Sequence, residues 1–159
     1  MAVKILFVCL GNICRSPTAH GVFETQVQKA GLQQQVIVDS AGTGDWHIGA
    51  APDHRSRSFA LGRGYDLSSL RARQIGQSDF LQFDYILAMD NSNLTNLHRL
   101  APAGYAGHLG LFLEFHPEAP MIEVPDPYYG GDKDFNIVLD LIEAASSGLL
   151  AHVRRNHGV

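Results

Sequence analysis

The chain has 159 residues, 45% hydrophobic and 18% charged, with a formal net charge of −4 at pH 7. This composition is ordinary for one globular domain spanning residues 1–159, and the negative charge argues against nucleic acid as the main partner. The N-terminal apolar segment is too short for a signal peptide, and no other stretch resembles a membrane span. We therefore predict no membrane partner.

The first predicted element is a strand at Val3–Val8, whose continuous apolar character is typical of a strand covered on both faces. A helix is predicted from Pro17, with Ser16 as its N-cap, and it ends at Gly31. The strand and the helix are separated by a short loop that carries most of the recognisable chemistry.

That loop reads Cys-Leu-Gly-Asn-Ile-Cys-Arg-Ser over residues 9–16. Loop amides and a helix N-terminus favour a bound anion, and the Arg15 guanidinium can hold two phosphate oxygens at once. The same surroundings favour the thiolate form of Cys9, and Gly11 and Asn12 tolerate the backbone of a tight turn. The pattern predicts a phosphate-binding loop with a nucleophilic cysteine. The plain alternative is a buried cysteine at a strand end and an unrelated surface arginine.

Strands and helices continue to alternate along the rest of the chain. The predicted elements are a strand at Val36–Val38 with a loop at 39–44, a helix from Pro52 to about Arg63, a short helical turn near Ser78–Leu81, a strand at 84–89, a helix at Asn91–Leu100 capped by Asp90, a strand at Leu109–Phe115, a loop at 117–131, and a long amphipathic helix from about Phe135 to Val153.

This alternation predicts an α/β fold: a single-domain, four-stranded parallel sheet with helices on both faces and a phosphate-binding loop between the first strand and the first helix. Ligands of such sheets bind beyond the carboxyl ends of the strands, and Cys9 lies at an end of that kind.

A candidate proton donor lies in the sequence Val-Pro-Asp-Pro-Tyr-Tyr-Gly at residues 124–130. Prolines on both sides of Asp126 stiffen the chain, and Tyr128 and Tyr129 can form an aromatic wall for a flat substrate. The alternative is a solvated turn, since Asp and Pro are common turn residues.

The cysteines indicate a reducing compartment, because the two in the chain, Cys9 and Cys14, lie in the same loop and form no disulfide framework. We therefore expect a cytoplasmic protein. The scattered histidines lack metal-ligand spacing, so no metal or other cofactor is predicted. For Cys14 two interpretations stay open: a small buried loop residue, or a thiol that forms a protective disulfide with an oxidised Cys9.

Taken together, these segments resemble the low-molecular-weight protein tyrosine phosphatase family. The loop at 9–17 is similar to the family's nucleophile loop at every position, and the segments at 40–43, 72–74, 83–94 and 126–130 follow in the family's order. The resemblance covers about residues 3–155.

The resemblance implies that Cys9 is the nucleophile, Arg15 the phosphate clamp and Asp126 the general acid and base, in hydrolysis of phosphotyrosine proteins through a phosphocysteine. Inorganic phosphate would be the product and an inhibitor. The remaining implied site residues bind phosphate, support the loop or line the entrance. The residues around the phosphate are Leu10, Gly11, Asn12, Ile13, Cys14 and Ser16. The loop supports are Asn12, Ser16 and Ser40, with Ser40 as a partner of Asn12 and with the Ser16 hydroxyl stabilising the Cys9 thiolate. The entrance residues are Trp46, Tyr128 and Tyr129, although Trp46 could instead be half-buried in packing.

One departure concerns Leu70, where members of this family often carry a histidine linked to the hydrogen bonds of the loop. This leaves the contacts of Asn12 and Ser40 open. Three other functions compete: a thiol-dependent arsenate reductase, disfavoured because no cysteine follows Cys14; a cysteine phosphocarrier; and a non-catalytic phosphotyrosine-binding module. The sequence does not indicate an oligomeric state.

Overall fold

The chain forms one four-stranded parallel sheet in a computed structural model that describes residues 2–159. The strands are β1 (Val3–Cys9), β2 (Val36–Gly42), β3 (Tyr85–Ala88) and β4 (His108–Leu111), and their order in the sheet is β2-β1-β3-β4. The predicted fold class is confirmed.

Five α-helices connect or follow these strands within the described residues: α1 (Arg15–Lys29), α2 (His54–Gly62), α3 (Asp79–Gln82), α4 (Asn91–Leu100) and α5 (Asp132–His157). The helix at Asn91–Leu100 agrees with its prediction, including the cap, because Asp90 Oδ1 accepts a hydrogen bond from Asn93 N at 2.8 Å. At α2 the cap is Asp53, so the helix begins at His54 rather than at Pro52.

The helices cover both faces of the sheet because β1 is apolar on both sides. Ile5 and Phe7 pack into the core shared with α1 and α5, whereas Leu6 and Val8 face the core that includes Phe80 of α3 and Leu97 of α4. All four β1 side chains are fully buried, as the continuous apolar run predicted.

The order of the strands places the loop after β1 at a favourable position for a ligand. The next strand in sequence, β2, pairs with one edge of β1, and β3 pairs with the other. The connections on the two sides therefore diverge at the carboxyl end of β1, which is where open α/β sheets leave a crevice.

Besides the start of α2, three predicted boundaries are wrong. The segment predicted as a loop at 39–44 continues β2 as far as Gly42, because residues 39–42 pair with β1. The strand predicted over Leu109–Phe115 ends at Leu111, and a 3-10 helix at Phe112–Phe115 follows. There the Phe112 ring packs on Phe7 with centroids 4.9 Å apart, so core packing turns the chain away from the sheet.

The third correction concerns the start of α1. This helix begins at Arg15, its N-cap residue is Cys14, and no side chain caps it. Ser16 is therefore inside the first turn and is not the N-cap. Its hydroxyl is consequently available to other groups in the loop.

By length and composition alone, α5 is able to cross a membrane. In the fold, however, its apolar side chains belong to the core that packs between α5, α1 and the sheet, including Val138, Ile142 and Leu149. The apolar character of α5 is thus accounted for by packing within the protein.

Candidate active site

The loop between β1 and α1 is held in place through its backbone. Thr43 N and Gly44 N, which follow β2, donate to the carbonyl oxygens of Cys9 and Leu10 at 2.9 Å each. Asp53 N donates to Ile13 O at 2.7 Å on the other side. A side chain at Gly42 would place its Cβ 2.7 Å from Leu10 O, so this close approach of β2 to the loop requires glycine.

Asn12 fixes the shape of the loop from inside. Its φ is +56°, a left-handed conformation that asparagine tolerates better than most residues, and the residue is buried. Asn12 Oδ1 accepts a hydrogen bond from Arg73 N at 3.0 Å, and Nδ2 donates to Ser16 Oγ at 2.8 Å. Because a backbone N–H is always a donor, the Arg73 contact also fixes the orientation of the amide.

Ser40 is not a partner of Asn12, which corrects the expectation from the resemblance. Its hydroxyl pairs with His20 Nδ1 at 3.0 Å, and His20 Nε2 lies 3.6 Å from Glu24 Oε2, a contact that lowers the pKa of Glu24. Leu70 is half-buried and packs against the core. A histidine from α1 thus supplies the imidazole next to Ser40, and Leu70 supplies packing.

Cys9 lies at the end of β1, almost wholly buried, with Sγ 3.0 Å from Ser16 Oγ. Ser16 Oγ already accepts a hydrogen bond from Asn12, so its own hydrogen can point at the sulfur or at the more distant Ala41 O, 3.4 Å away. The Ser16 hydroxyl is therefore placed to donate a hydrogen bond to the Cys9 sulfur. The hydrogen bonds that link Arg73 N, Asn12, Ser16 and Cys9 in series form the hydrogen-bonded framework of the loop.

Arg15 is buried next to the loop and is held by two acceptors on other elements. Its Nη1 donates to Asp90 Oδ2 at 2.7 Å and to Val124 O at 3.0 Å. Burial alone would lower the pKa of Arg15, but the negative charges of Cys9, Asp90 and Asp126 raise it above its ordinary value. The guanidinium is therefore a fixed cation beside the sulfur.

Asp126 lies across the cleft from the loop. Its Oδ1 accepts a hydrogen bond from Tyr128 N at 3.0 Å, and Oδ2 is 3.9 Å from Arg15 Nη2. The side chain is 51% exposed, in contrast to Arg15 at 5%, so the carboxyl group is open to a molecule entering the cleft.

Arg55, near the start of α2, anchors the segment that carries Asp126. Its guanidinium donates to the carbonyl oxygens of Tyr128 and Gly130, the latter at 2.8 Å, and lies over the Phe135 ring at 4.7 Å. Nothing in the sequence indicates this role of Arg55, because no local pattern connects it to residues more than 70 positions away.

Asp90 is the second residue that was missed in this role. The sequence identified it as the cap of α4, and one carboxylate oxygen does cap the helix while the other binds Arg15. Its position directly after β3, at the same edge of the sheet as Cys9, is the signal that could have indicated the second role.

The cleft that these groups share has a volume of about 250 Å³. Its lining includes residues of the loop, Asp126, and an aromatic rim of Trp46, Tyr128 and Tyr129 with His47. Trp46 is 69% exposed, which excludes the alternative of half-buried packing. The two tyrosine rings meet edge to face, 4.9 Å apart. Asn12 and Ser16, in contrast, are buried within the loop and do not line the cleft.

Cys14 lines the same cleft and also a small apolar cavity behind it, next to Ser56 and Phe59. Burial raises its pKa to about 12, an effect that the Ser56 hydrogen bond opposes and that the charges of Asp53, Cys9 and Asp126 reinforce. At neutral pH Cys14 is therefore a protonated thiol.

The site brings a cysteine sulfur, a buried guanidinium and an accessible carboxyl group together around one cleft. These are the elements needed for phosphoryl transfer through a covalent cysteine intermediate.

Comparisons with known proteins agree with this chemistry. The sequence model of a family described as low molecular weight phosphotyrosine protein phosphatase matches residues 4–158. The chain is similar to the low molecular weight protein-tyrosine-phosphatase of Streptomyces coelicolor, with 45% identity over 157 residues, which are 97% of this chain and 95% of the relative.

Solved structures give the same result. A crystal structure of protein tyrosine phosphatase from Entamoeba histolytica, with Hepes in the active site, matches with a TM-score of 0.92 and 42% identity over 99% of both chains. The crystal structure of DARP, drosophila arginine phosphatase, matches with a TM-score of 0.90 and 33% identity over 97% of this chain and 99% of the other. The chain belongs to the low molecular weight phosphotyrosine protein phosphatase family, and it is a cysteine-dependent protein-tyrosine phosphatase.

Proposed function

We propose that this phosphatase hydrolyses phosphotyrosine in proteins in two steps, with Cys9, Arg15 and Asp126 as the catalytic residues. The observation that carries the proposal is the position of Cys9 Sγ, 3.0 Å from the Ser16 hydroxyl, in a loop that Arg15 and Asp126 flank.

In the first step the Cys9 thiolate attacks phosphorus, the bond from phosphorus to the phenolic oxygen breaks, and Asp126 gives its proton to that oxygen. In the second step Asp126, now a carboxylate, takes a proton from water, and the water oxygen attacks phosphorus. The sulfur–phosphorus bond breaks, so the Cys9 thiolate is restored and inorganic phosphate leaves.

Arg15 acts on the charge of the transferred phosphoryl group. Asp90 and Val124 occupy its Nη1, while Nε and Nη2 have no hydrogen-bond partner among residues 2–159. Those two donors are the ones suited to binding two phosphate oxygens side by side. Leu10, Gly11, Ile13 and Cys14 line the cleft, and the loop backbone from Leu10 to Ser16 provides further donors.

The aromatic rim favours aryl phosphates. A phenyl ring between Trp46, Tyr128 and Tyr129 gains apolar contact and carries its phosphate down to Cys9, whereas the shorter side chain of phosphoserine does not reach the sulfur. We also propose that inorganic phosphate competes with substrate for the loop, and that the enzyme is cytoplasmic, where both cysteines stay free thiols.

The test compares phosphate release from a phosphotyrosine peptide with release from matched phosphoserine and phosphoarginine peptides. Phosphoarginine belongs in the set because DARP, a structural neighbour, is an arginine phosphatase. We expect turnover of phosphotyrosine and of aryl phosphates, with competitive inhibition by inorganic phosphate. A clear preference for phosphoarginine would overturn the proposed substrate.

Cys9→Ser tests the nucleophile. The serine hydroxyl stays protonated where a thiol ionises, so the variant should bind phosphotyrosine peptide with near-normal affinity and lose nearly all turnover. Calorimetry and phosphate release measure the two properties separately, and near-normal turnover would remove Cys9 from its role. The same variant can trap phosphotyrosine proteins from a lysate.

A further inference from the structure

A second groove adjoins the catalytic cleft. It has a volume of about 300 Å³, and it lies between the segment after β2 and the last turns of α4, where Asn96, Arg99 and Leu100 contribute to it. Leu10 and Trp46 line both the groove and the cleft, so these two side chains form a shared ridge. A polypeptide whose phosphotyrosine occupies the cleft can therefore pass over this ridge into the groove.

The groove has exposed apolar surface on the ridge and, on the opposite side, at Leu100 of α4. Leu10 is 44% exposed, Trp46 69% and Leu100 37%, although each is a large apolar side chain. The indole of Trp46 lies directly on the backbone of Gly44, where a Cβ would be 1.9 Å from the ring. Because Gly44 N is also bonded to Leu10 O, the two residues of the ridge are tied together, and the surface exists before a ligand arrives.

The groove also has a cation without an acidic partner. Arg99 is exposed, and its guanidinium makes one long contact, from Nη1 to Asn96 Oδ1 at 3.4 Å. It forms no ion pair with any residue in the range 2–159, not even with Asp45, the neighbour of Trp46 in sequence. A cation next to apolar surface fits a carboxylate and an apolar side chain on the same ligand.

We propose that this groove binds the segment of the substrate polypeptide that flanks phosphotyrosine, and that Arg99 selects an Asp or Glu in that segment. The inference rests on the proposed phosphotyrosine hydrolysis and deepens it by naming a substrate class. An extended chain advances about 3.3–3.6 Å per residue, so a carboxylate within about four residues of the phosphotyrosine is in range. An apolar residue between the two would contact the ridge and Leu100.

The experiment uses the full chain and a peptide panel. Each peptide holds one phosphotyrosine in a neutral background. The peptides come in pairs, in which one carries a single Glu and the other a single Lys at the same position, within four residues of the phosphotyrosine on either side. The measured quantity is kcat/KM. We expect one or two positions on one side where Glu raises kcat/KM about two- to fivefold over the neutral peptide and Lys lowers it, the range of an exposed ion pair. The preference should weaken with added salt.

The variant Arg99→Glu should reverse that preference for Glu over Lys and leave kcat/KM for p-nitrophenyl phosphate unchanged. The matched control is Lys29→Glu, which makes the same charge change in the last turn of α1, at the end of that helix remote from the loop. A second variant, Leu100→Ser, should raise KM about two- to fivefold for a peptide with an apolar flanking residue, and not for p-nitrophenyl phosphate.

The outcomes separate the two proposals. If the wild type hydrolyses neither p-nitrophenyl phosphate nor phosphotyrosine, the proposed function itself is wrong. If it hydrolyses both, but Arg99→Glu changes the Glu-to-Lys ratio no more than Lys29→Glu does, the groove is not the docking site and the proposal is overturned. An equal loss of activity on every substrate in Arg99→Glu would likewise contradict it.

Discussion

The Asp126 carboxyl group has one backbone hydrogen bond, from Tyr128, and half of its side chain is open to the cleft. Replacing it by asparagine removes the transferable proton and keeps the shape. Asp126→Asn should therefore slow hydrolysis of aryl phosphates with basic leaving groups by about 10²–10⁴-fold, and of those with good leaving groups far less.

The measurement is kcat/KM across a series of phenols of different pKa. Asp132→Asn, an exposed carboxylate at the start of α5, is the control and should follow the wild type. An equal loss across the series in Asp126→Asn would remove Asp126 from the acid role.

The protonation state of Cys14 determines how the site responds to peroxide. A sulfenic acid on Cys9 condenses with the Cys14 thiolate, releasing hydroxide and forming a disulfide. Because the pKa of Cys14 is about 12, only a small fraction of this residue is thiolate at neutral pH. As long as the pH is below the pKa, that fraction increases about tenfold for each unit by which the pH is raised. We therefore predict that recovery of peroxide-treated enzyme by thiol reductant increases as the pH of oxidation rises from about 7 to about 9.

Cys14→Ser is the control for this prediction, because it cannot form the bond, and its inactivation should be largely irreversible at every pH. Mass spectrometry of the oxidised wild type should show the Cys9–Cys14 disulfide. If the variant recovers as fully as the wild type, Cys14 has only a packing role.

At the scale of elements, the site depends on a contact between α2 and the segment after β4. Arg55 binds two carbonyl oxygens of the Asp126 segment and stacks on Phe135. Arg55→Met keeps the aliphatic packing and loses the donors. We expect about a tenfold fall in kcat for substrates with poor leaving groups, a smaller fall for good ones, and little change in melting temperature.

A double-mutant cycle distinguishes positioning from a general structural defect. If Arg55 acts by holding Asp126, then adding Arg55→Met to Asp126→Asn should cost almost nothing further in kcat. Additive losses would show that Arg55 acts on another part of the site.

Local patterns in the sequence predict some secondary-structure elements but not the contacts between distant ones. The run Val3–Val8 and the cap at Asp90 were predictable, because periodicity and capping are local properties. The end of β4 was not, because the apolar run up to Phe115 fits a strand equally well, and only packing of Phe112 on Phe7 turns it into a 3-10 helix. Arg55 and the second role of Asp90 depend likewise on contacts between distant segments.

At the site, the positions of Cys9, Arg15 and Asp126 around one cleft were foreseeable from the loop, from the order of strands and from the family resemblance. The roles of Ser16 and Ser40 in the hydrogen-bond framework were only partly predictable from the sequence. Ser16 contacts Cys9 as expected, but Ser40 pairs with His20, a residue on α1 that carries no motif. Side-chain pairing of this kind follows from packing and has no fixed spacing in the chain.

At the scale of the whole molecule, the C-terminal half of the long helix α5 closes the core at the end of the sheet remote from the active site. Gly148 of α5 lines a surface groove with His108, which begins β4, whereas Cys9 ends its strand. A Cβ at Gly148 would lie 1.8 Å from the carbonyl oxygen of Phe115, a backbone atom that cannot rotate away. Gly148→Ala therefore forces α5 and the 3-10 helix apart.

We expect Gly148→Ala to lower the free energy of unfolding by about 1–3 kcal/mol, the usual cost of overpacking, and the melting temperature by roughly 2–12 °C. Gly62→Ala is the matched control. This glycine is the last residue of α2, and its added Cβ meets nothing within 4 Å. The change should therefore leave stability equal or slightly higher. Below its melting temperature, Gly148→Ala should keep the kcat/KM of the wild type for p-nitrophenyl phosphate, because the site lies at the opposite end of the strands. A stability equal to that of Gly62→Ala, or a selective loss of kcat at full stability, would contradict the separation of core and site.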